Sequence, residues 1–319
     1  MAVYTDVTDA DLEAFMAQYE LGCVLSFKGI AEGVENSNFL LHTDCGSFIL
    51  TLYEKRVRPA DLPFFLGLME HLAERGFPSP TPIAGRDGIA LRELCGKKAA
   101  VISFMEGLSP RGIQPHHCLG LGRVLAQMHL AGADFALRRP NDLSLAGWRG
   151  LIAAIGDAAD GIAAGLRAML DAEMGYLTAQ WPGDLPQGTI HADLFPDNVF
   201  FRGHEVSGVI DFYFACTDAL AYDFAICINA WCFDEDHRFQ PERAAEMAAA
   251  YQAVRPLTSA EKVAMPILAR GAALRFLLTR SFDWLNRQPG AFVKPKDPKE
   301  YLARLRFHQA AEGPGVYGL

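Results

Sequence analysis

The chain has 319 residues, half of them hydrophobic, which is enough for one or two buried cores. Its 38 acidic and 29 basic side chains leave a formal charge of -9, which argues against a protein that binds nucleic acid by blanketing phosphates. An anionic nucleotide stays compatible, because a phosphate site is built from a few local donors and a metal. The seven cysteines form no C-x-x-C pair, so neither a disulfide framework nor a zinc ribbon is suggested. The opening MAVYTDVTDADLEAF lacks the basic and apolar regions of a secretory leader. No apolar run approaches the roughly 20 residues of a membrane span. A soluble, cytoplasmic protein is expected.

Thr8 reads as a helix N-cap, with Leu12, Phe15, Met16 and Tyr19 as the apolar stripe that follows. From Cys23 to Tyr53 the period changes to two: CVLSFKGI, NFLLHT and GSFILTLY predict a small antiparallel sheet. Residues 60–75 return to helical spacing, Gly76 stops them, and Pro78, Pro80 and Pro82 make an extended connector. ALRELCGKKAAVISFM predicts two more strands meeting at Gly96. The segment FMEGLSPRG then leaves the sheet, and a hinge is expected over residues 104–112.

Beyond the hinge the pattern is mainly helical. Residues 152–172 predict one amphipathic helix, and further helices are expected over 218–253 and 258–287. Between them, VFF and GVI predict a hairpin turning at Gly203. The resulting architecture is α+β: a β-rich lobe over 1–103, the hinge, and a helical lobe over 113–319 that carries the hairpin.

The chemistry concentrates in His191-Ala192-Asp193-Leu194-Phe195-Pro196-Asp197-Asn198 and in Asp211 at the end of the following strand. Phosphoryl transfer needs a carboxylate near the acceptor hydroxyl, oxygen ligands for magnesium and donors along the triphosphate. Asp193 can accept or orient the hydroxyl, while Asn198 and Asp211 offer oxygens to the metal. His191 and Asp193 also fit an H-x-D metallohydrolase, but such sites need further His and Asp clusters that the sequence does not offer. A nucleotide-binding module without activity would not need Asp193, Asn198 and Asp211 together.

These residues resemble the aminoglycoside phosphotransferase and choline kinase superfamily, whose loop reads H-x-D-x-x-x-x-N before a hydrophobic strand and a metal-binding Asp. LGRVLAQMHLAG (121–132) and Asp218-Ala-Leu-Ala-Tyr-Asp223-Phe-Ala agree with that pattern. Within the superfamily the chain is most similar to bacterial homoserine kinases, through GIAEGVENSNFLLHT and FILTLYEK (29–55), RGFPSPTPI (75–83) and HADLFPDNVFF. The resemblance implies a bilobal protein-kinase-like fold and transfer of the ATP γ-phosphoryl group to L-homoserine, with Mg2+. It also implies His191 as support of the loop, Asp223 as its structural buttress and a triphosphate loop with Gly29, Gly33 and Ser37. Met105 and Glu106 would lie at the adenine. Thr51 occupies the usual strand-three lysine position, which leaves Lys55 as the nearest basic candidate and Glu70 as the candidate partner. A homoserine site needs a cation for the carboxylate, for which Arg270, Arg275 and Arg280 are candidates. Choline or an aminoglycoside as acceptor would use the same catalytic residues.

Overall fold

The computed structural model describes residues 5–30, 36–54, 57–287 and 295–319. The chain forms two compact units, Met1–Gly107 with Ser207–Tyr213, and Leu108–Val206 with Phe214–Leu319.

Among the described residues, the first unit is a five-stranded antiparallel sheet with two α-helices. Its strands β1 (Val24–Gly29), β2 (Ser37–Thr43), β3 (Gly46–Leu52), β4 (Arg92–Leu94) and β5 (Lys97–Ser103) run in the order β1-β2-β3-β5-β4. Helix α1 (Asp9–Met16) starts where the sequence predicts: the Thr8 hydroxyl accepts from the Asp11 amide in a capping box. Its Leu12, Phe15 and Met16 pack with Phe39, Leu41, Leu50 and Val101 of the sheet, the alternation having turned those residues to one face. Helix α2 (Leu62–Glu74) buries Leu62, Phe64, Phe65, Leu66, Leu68, Met69 and Leu72, each contributing about 1.5–3 kcal/mol of apolar transfer. The 207–213 segment joins this unit through the Val209 amide, which donates to Pro78 O at 2.7 Å, and through Tyr213, packed edge-on to Tyr53 and Phe65.

The second unit contains α3 (Pro115–Ala131), α4 (Leu145–Ile155), α5 (Leu166–Gln180), α6 (Leu220–Trp231), α7 (Pro241–Val254), α8 (Ser259–Leu285) and α9 (Pro298–Gln309). Every residue of α6 is buried, so this helix forms the axis of the unit's core. Strands β6 (Gln187–Ile190) and β9 (Cys216–Ala219) pair antiparallel, with Gln187 opposite Ala219 and Ile190 opposite Cys216. Strands β7 (Val199–Arg202) and β8 (Glu205–Val209) form the predicted two-stranded hairpin, turning at Gly203, where φ is +62°.

The structure departs from the sequence reading in three places. The single helix expected over 152–172 is two helices separated by residues 156–165, with a 3-10 helix over Gly156–Gly161, because Gly156 and Gly165 adopt φ of +56° and +73°. The helix expected over 218–253 is broken at 232–240 and preceded by β9. Strand β6 and helix α9 add to the elements that the sequence predicts. Among the described residues no helix is long and apolar enough to cross a membrane.

Candidate active site

The β6–β9 ladder builds the centre of the site. Strand β6 delivers the chain directly into His191, and β9 delivers it into α6, one turn before Asp223. Asp223 is completely buried, and its two carboxylate oxygens accept from successive amides of the loop, His191 N at 2.7 Å and Ala192 N at 2.8 Å. From α8, the buried Arg275 donates to the carbonyl oxygen of Ala192. Ala192 itself has φ of +63°, a left-handed conformation that a non-glycine residue holds only when its surroundings enforce it. The residue is therefore gripped on both sides of its Cα.

Behind Asp223 stands a hydrogen-bonded row. Arg255 donates to the Tyr251 hydroxyl at 2.9 Å, which lies 2.8 Å from His129 Nδ1, and His129 Nε2 lies 3.2 Å from Asp223. With Tyr251 accepting from Arg255, the row assigns the Tyr251 proton to His129 Nδ1 and leaves Nε2–H to donate to Asp223. Burial raises the Asp223 carboxyl, but the hydrogen bond from His129, with the His191 contacts, more than offsets it and holds the group below its ordinary value. His129 is thus a working part of the support, which its place in an apolar helix face does not reveal.

The rest of the loop is pinned by its own polar groups. His191 is buried, and its Nδ1 accepts from the Asp193 amide at 3.2 Å. Asp193 is half-buried, and its carbonyl accepts from the Phe195 amide at 2.8 Å and from Asn198 Nδ2 at 2.8 Å. Trp231 Nε1 donates to Leu194 O at 2.8 Å, so the aromatic residue after the hairpin anchors the loop. With Nδ2 committed to Asp193, the Asn198 side chain keeps Oδ1 as its remaining polar atom, a neutral oxygen of the type a magnesium ion takes. Asp211, in the other unit, is half-buried with φ of +66°. It is a carboxylate carried on a strained backbone, where a hard cation would find an oxygen ligand.

The residues expected at the nucleotide belong to the first unit. Gly29 closes β1 opposite Phe39, and Met105 and Glu106 follow β5 in irregular chain. The Glu106 carbonyl accepts from the Ser207 hydroxyl at 2.7 Å. Ser37 is buried and donates to Glu54 at 2.8 Å, while Lys97 pairs with the other Glu54 oxygen at 3.0 Å. Burial raises Glu54, yet hydrogen bonds from Thr5, Lys97 and Ser37 bring it below its ordinary value. Thr51 is buried and donates to Asn38 at 2.8 Å, so the usual lysine position holds a neutral cross-strand pair. Glu70 is exposed on α2. Gly33 and Lys55 lie outside the described residues.

The three candidate arginines separate. Arg270 forms a bidentate pair with Glu173, at 2.8 and 2.6 Å, and stacks on Tyr176. Arg275 holds the loop. Of the three, Arg280 lines an open cleft, beside Glu300.

Comparison with known proteins accords with this geometry. Residues 26–257 match the phosphotransferase enzyme family. The chain is 60% identical over 319 residues to homoserine kinase of Parvibaculum lavamentivorans, covering 100% of this chain and 99% of that protein. It is 62% identical over 320 residues to homoserine kinase of Bradyrhizobium diazoefficiens, covering 100% and 98%. Its fold is similar to that of spectinomycin phosphotransferase, solved with ADP and spectinomycin, with a TM-score of 0.73 at 14% identity over 96% of this chain and 99% of that one. The chain therefore belongs to the phosphotransferase enzyme family, among its homoserine kinases.

Proposed function

We propose that this chain transfers the γ-phosphoryl group of ATP to the side-chain hydroxyl of L-homoserine, giving O-phospho-L-homoserine for threonine synthesis. The observation that carries this reading is the high identity to homoserine kinases over the full length of the chain. The polar loop His191–Asn198, held in a strained conformation by Asp223 and Arg275, supports it chemically.

In this reading Asp193 orients the acceptor hydroxyl and takes its proton as the bond to phosphorus forms. His191 supports Asp193 through the amide contact, and Asp223 acts only as a buttress. Asn198, through Oδ1, and Asp211, through its carboxylate, would each offer an oxygen to magnesium. Bound magnesium would neutralise charge on the phosphates, and most of the acceleration would come from positioning and electrostatics. Main-chain groups at Gly29 and Gly33 approach the triphosphate, those at Met105 and Glu106 meet adenine, and Lys55 supplies a cation. Ser37, whose hydroxyl goes to Glu54, steadies the start of β2.

A coupled assay of ADP release tests the reading. L-Homoserine should stimulate turnover well above choline, ethanolamine or an aminoglycoside, and only in the presence of Mg2+. No stimulation by homoserine above background ATP hydrolysis would contradict it.

A further inference from the structure

A cleft of about 460 Å³ opens in the second unit along the His191–Asn198 loop, with Phe195 and Pro196 on its wall. Among the described residues, its charged lining consists of Arg111, Arg280, Lys296 and Arg304 against Asp197 and Glu300. Four cations facing two anions reverse the balance of a chain whose net charge is -9. A concave site with a local excess of guanidinium and ammonium groups favours an anionic ligand group.

The hydrogen bonding sharpens this. Glu300 is one carboxylate shared by two guanidiniums, with Oε2 on Arg280 and Oε1 on Arg304. Arg304 is further committed to the Asn229 carbonyl. Arg280 uses Nη1 for Glu300 and for the Asp297 carbonyl, and its Nε and Nη2 make no hydrogen bond among the described residues. Lys296 is exposed and only loosely paired with Asp197, at 3.6 Å. The planar fork of an arginine suits a carboxylate in two-point contact.

A row of rings ties the cleft to the loop. Arg280 and Arg304 lie 4.4 and 4.6 Å from the Tyr301 ring centroid, Tyr301 packs on Phe276 at 5.1 Å, and Phe276 packs on Phe195 at 4.9 Å. Lys296 sits 5.3 Å from the Phe195 ring. Burial raises the Tyr301 phenol, and the Asp193 carboxylate adds to it.

We infer that this cleft binds the α-carboxylate of the acceptor amino acid, with Arg280 as its principal ligand and Lys296 as a flanking cation. The inference rests on the kinase reading above and adds to it a determinant of specificity. An amino acid bearing a hydroxyl is accepted, and the same amino alcohol without its carboxylate is discriminated against.

The test compares L-homoserine with 3-aminopropan-1-ol, which is homoserine without the carboxylate, at saturating ATP and Mg2+. Wild-type enzyme should favour homoserine. In Arg280→Met the KM for homoserine should rise at least about tenfold, the loss of a charge-assisted hydrogen bond, while the KM for ATP stays put. The ratio of kcat/KM for the two acceptors should fall by a similar factor, and Arg280→Lys should restore part of it. Because Arg280 also holds Glu300, Lys296→Met is the second variant. Its exposed side chain can be removed without opening the core, and the homoserine KM should rise about threefold or more. If Arg280→Met fails to fold, Lys296→Met decides alone. Homoserine KM values and acceptor ratios within about twofold of wild type would overturn the inference and leave the kinase reading standing. Phosphorylation of neither acceptor by the wild-type enzyme would instead overturn the reading beneath it.

Discussion

Arg275, on α8, donates a hydrogen bond to the carbonyl oxygen of Ala192, 83 residues earlier in the chain. That carbonyl belongs to the strained residue whose amide and preceding amide are both held by Asp223. The loop thus takes its shape from long-range contacts on either side of Ala192, and Asp193 follows immediately. Removing one contact should displace Asp193 more than it unfolds the protein.

Arg275→Met should therefore lower kcat by about 100-fold, the effect of a misplacement of about 1 Å at a reacting group, with a smaller change in KM for ATP. Arg275→Lys should recover part of the loss, since an ammonium can still donate to the carbonyl. Steady-state kinetics alongside thermal unfolding separate the two effects. An unchanged kcat in a folded Arg275→Met enzyme would show that the carbonyl contact has no part in placing Asp193.

Asp223→Asn should damage the fold as well as the activity. The wild-type carboxylate accepts N–H groups from His191, Ala192 and His129, whereas an amide must turn its NH2 towards one of them. Breaking such a buried arrangement costs about 3–5 kcal/mol. Urea unfolding of wild type and variant gives the difference directly, and a loss under about 1 kcal/mol would count against the buttress.

Stability should fall between neutral and mildly acidic pH through His308. This residue is fully buried, with Nδ1 2.9 Å from the Tyr317 hydroxyl and Nε2 3.1 Å from Asn229 Oδ1, and burial, Arg304 and Arg270 depress its pKa to about 3. The unfolded chain binds this proton near 6.5 and the native state near 3. Between those values the unfolded state holds more protons, so stability declines as pH drops, by about 1.4 kcal/mol per unit from this group. Urea unfolding from pH 6.5 down to 4.5 should show a steeper decline for wild type than for His308→Gln. Parallel curves would rule out the His308 contribution.

Much of the site is legible in the sequence because its parts are local. The spacing from His191 to Asn198, the strand after it and the turn at Gly203 all lie within one stretch of chain, and the hairpin forms as predicted. The supports are less visible. Asp223 stands out as an acid in an apolar run, but nothing in the spacing ties Arg275 to Ala192 or His129 to Asp223, since contacts over 83 and 94 residues leave no periodic trace. Strands β6 and β9 are four residues each, too short to show alternation, and they are defined by pairing across about thirty residues. The helix break after Ile155 is hidden by good alanine propensity, which Gly156 and Gly165 override. The cationic cleft draws its charges from separate elements, α8, α9 and the segments before α3 and α9, so Arg280 looks no different in sequence from Arg270.

The proposed mechanism turns on Asp193 as the group that handles the acceptor hydroxyl. Its most direct test is kcat for homoserine phosphorylation by purified Asp193→Ala, with thermal unfolding to establish that the fold is intact. A fall of at least about 100-fold is expected, the lower bound for a positioned general base, with an unfolding transition close to wild type. A folded Asp193→Ala enzyme that keeps near-wild-type turnover would contradict that role.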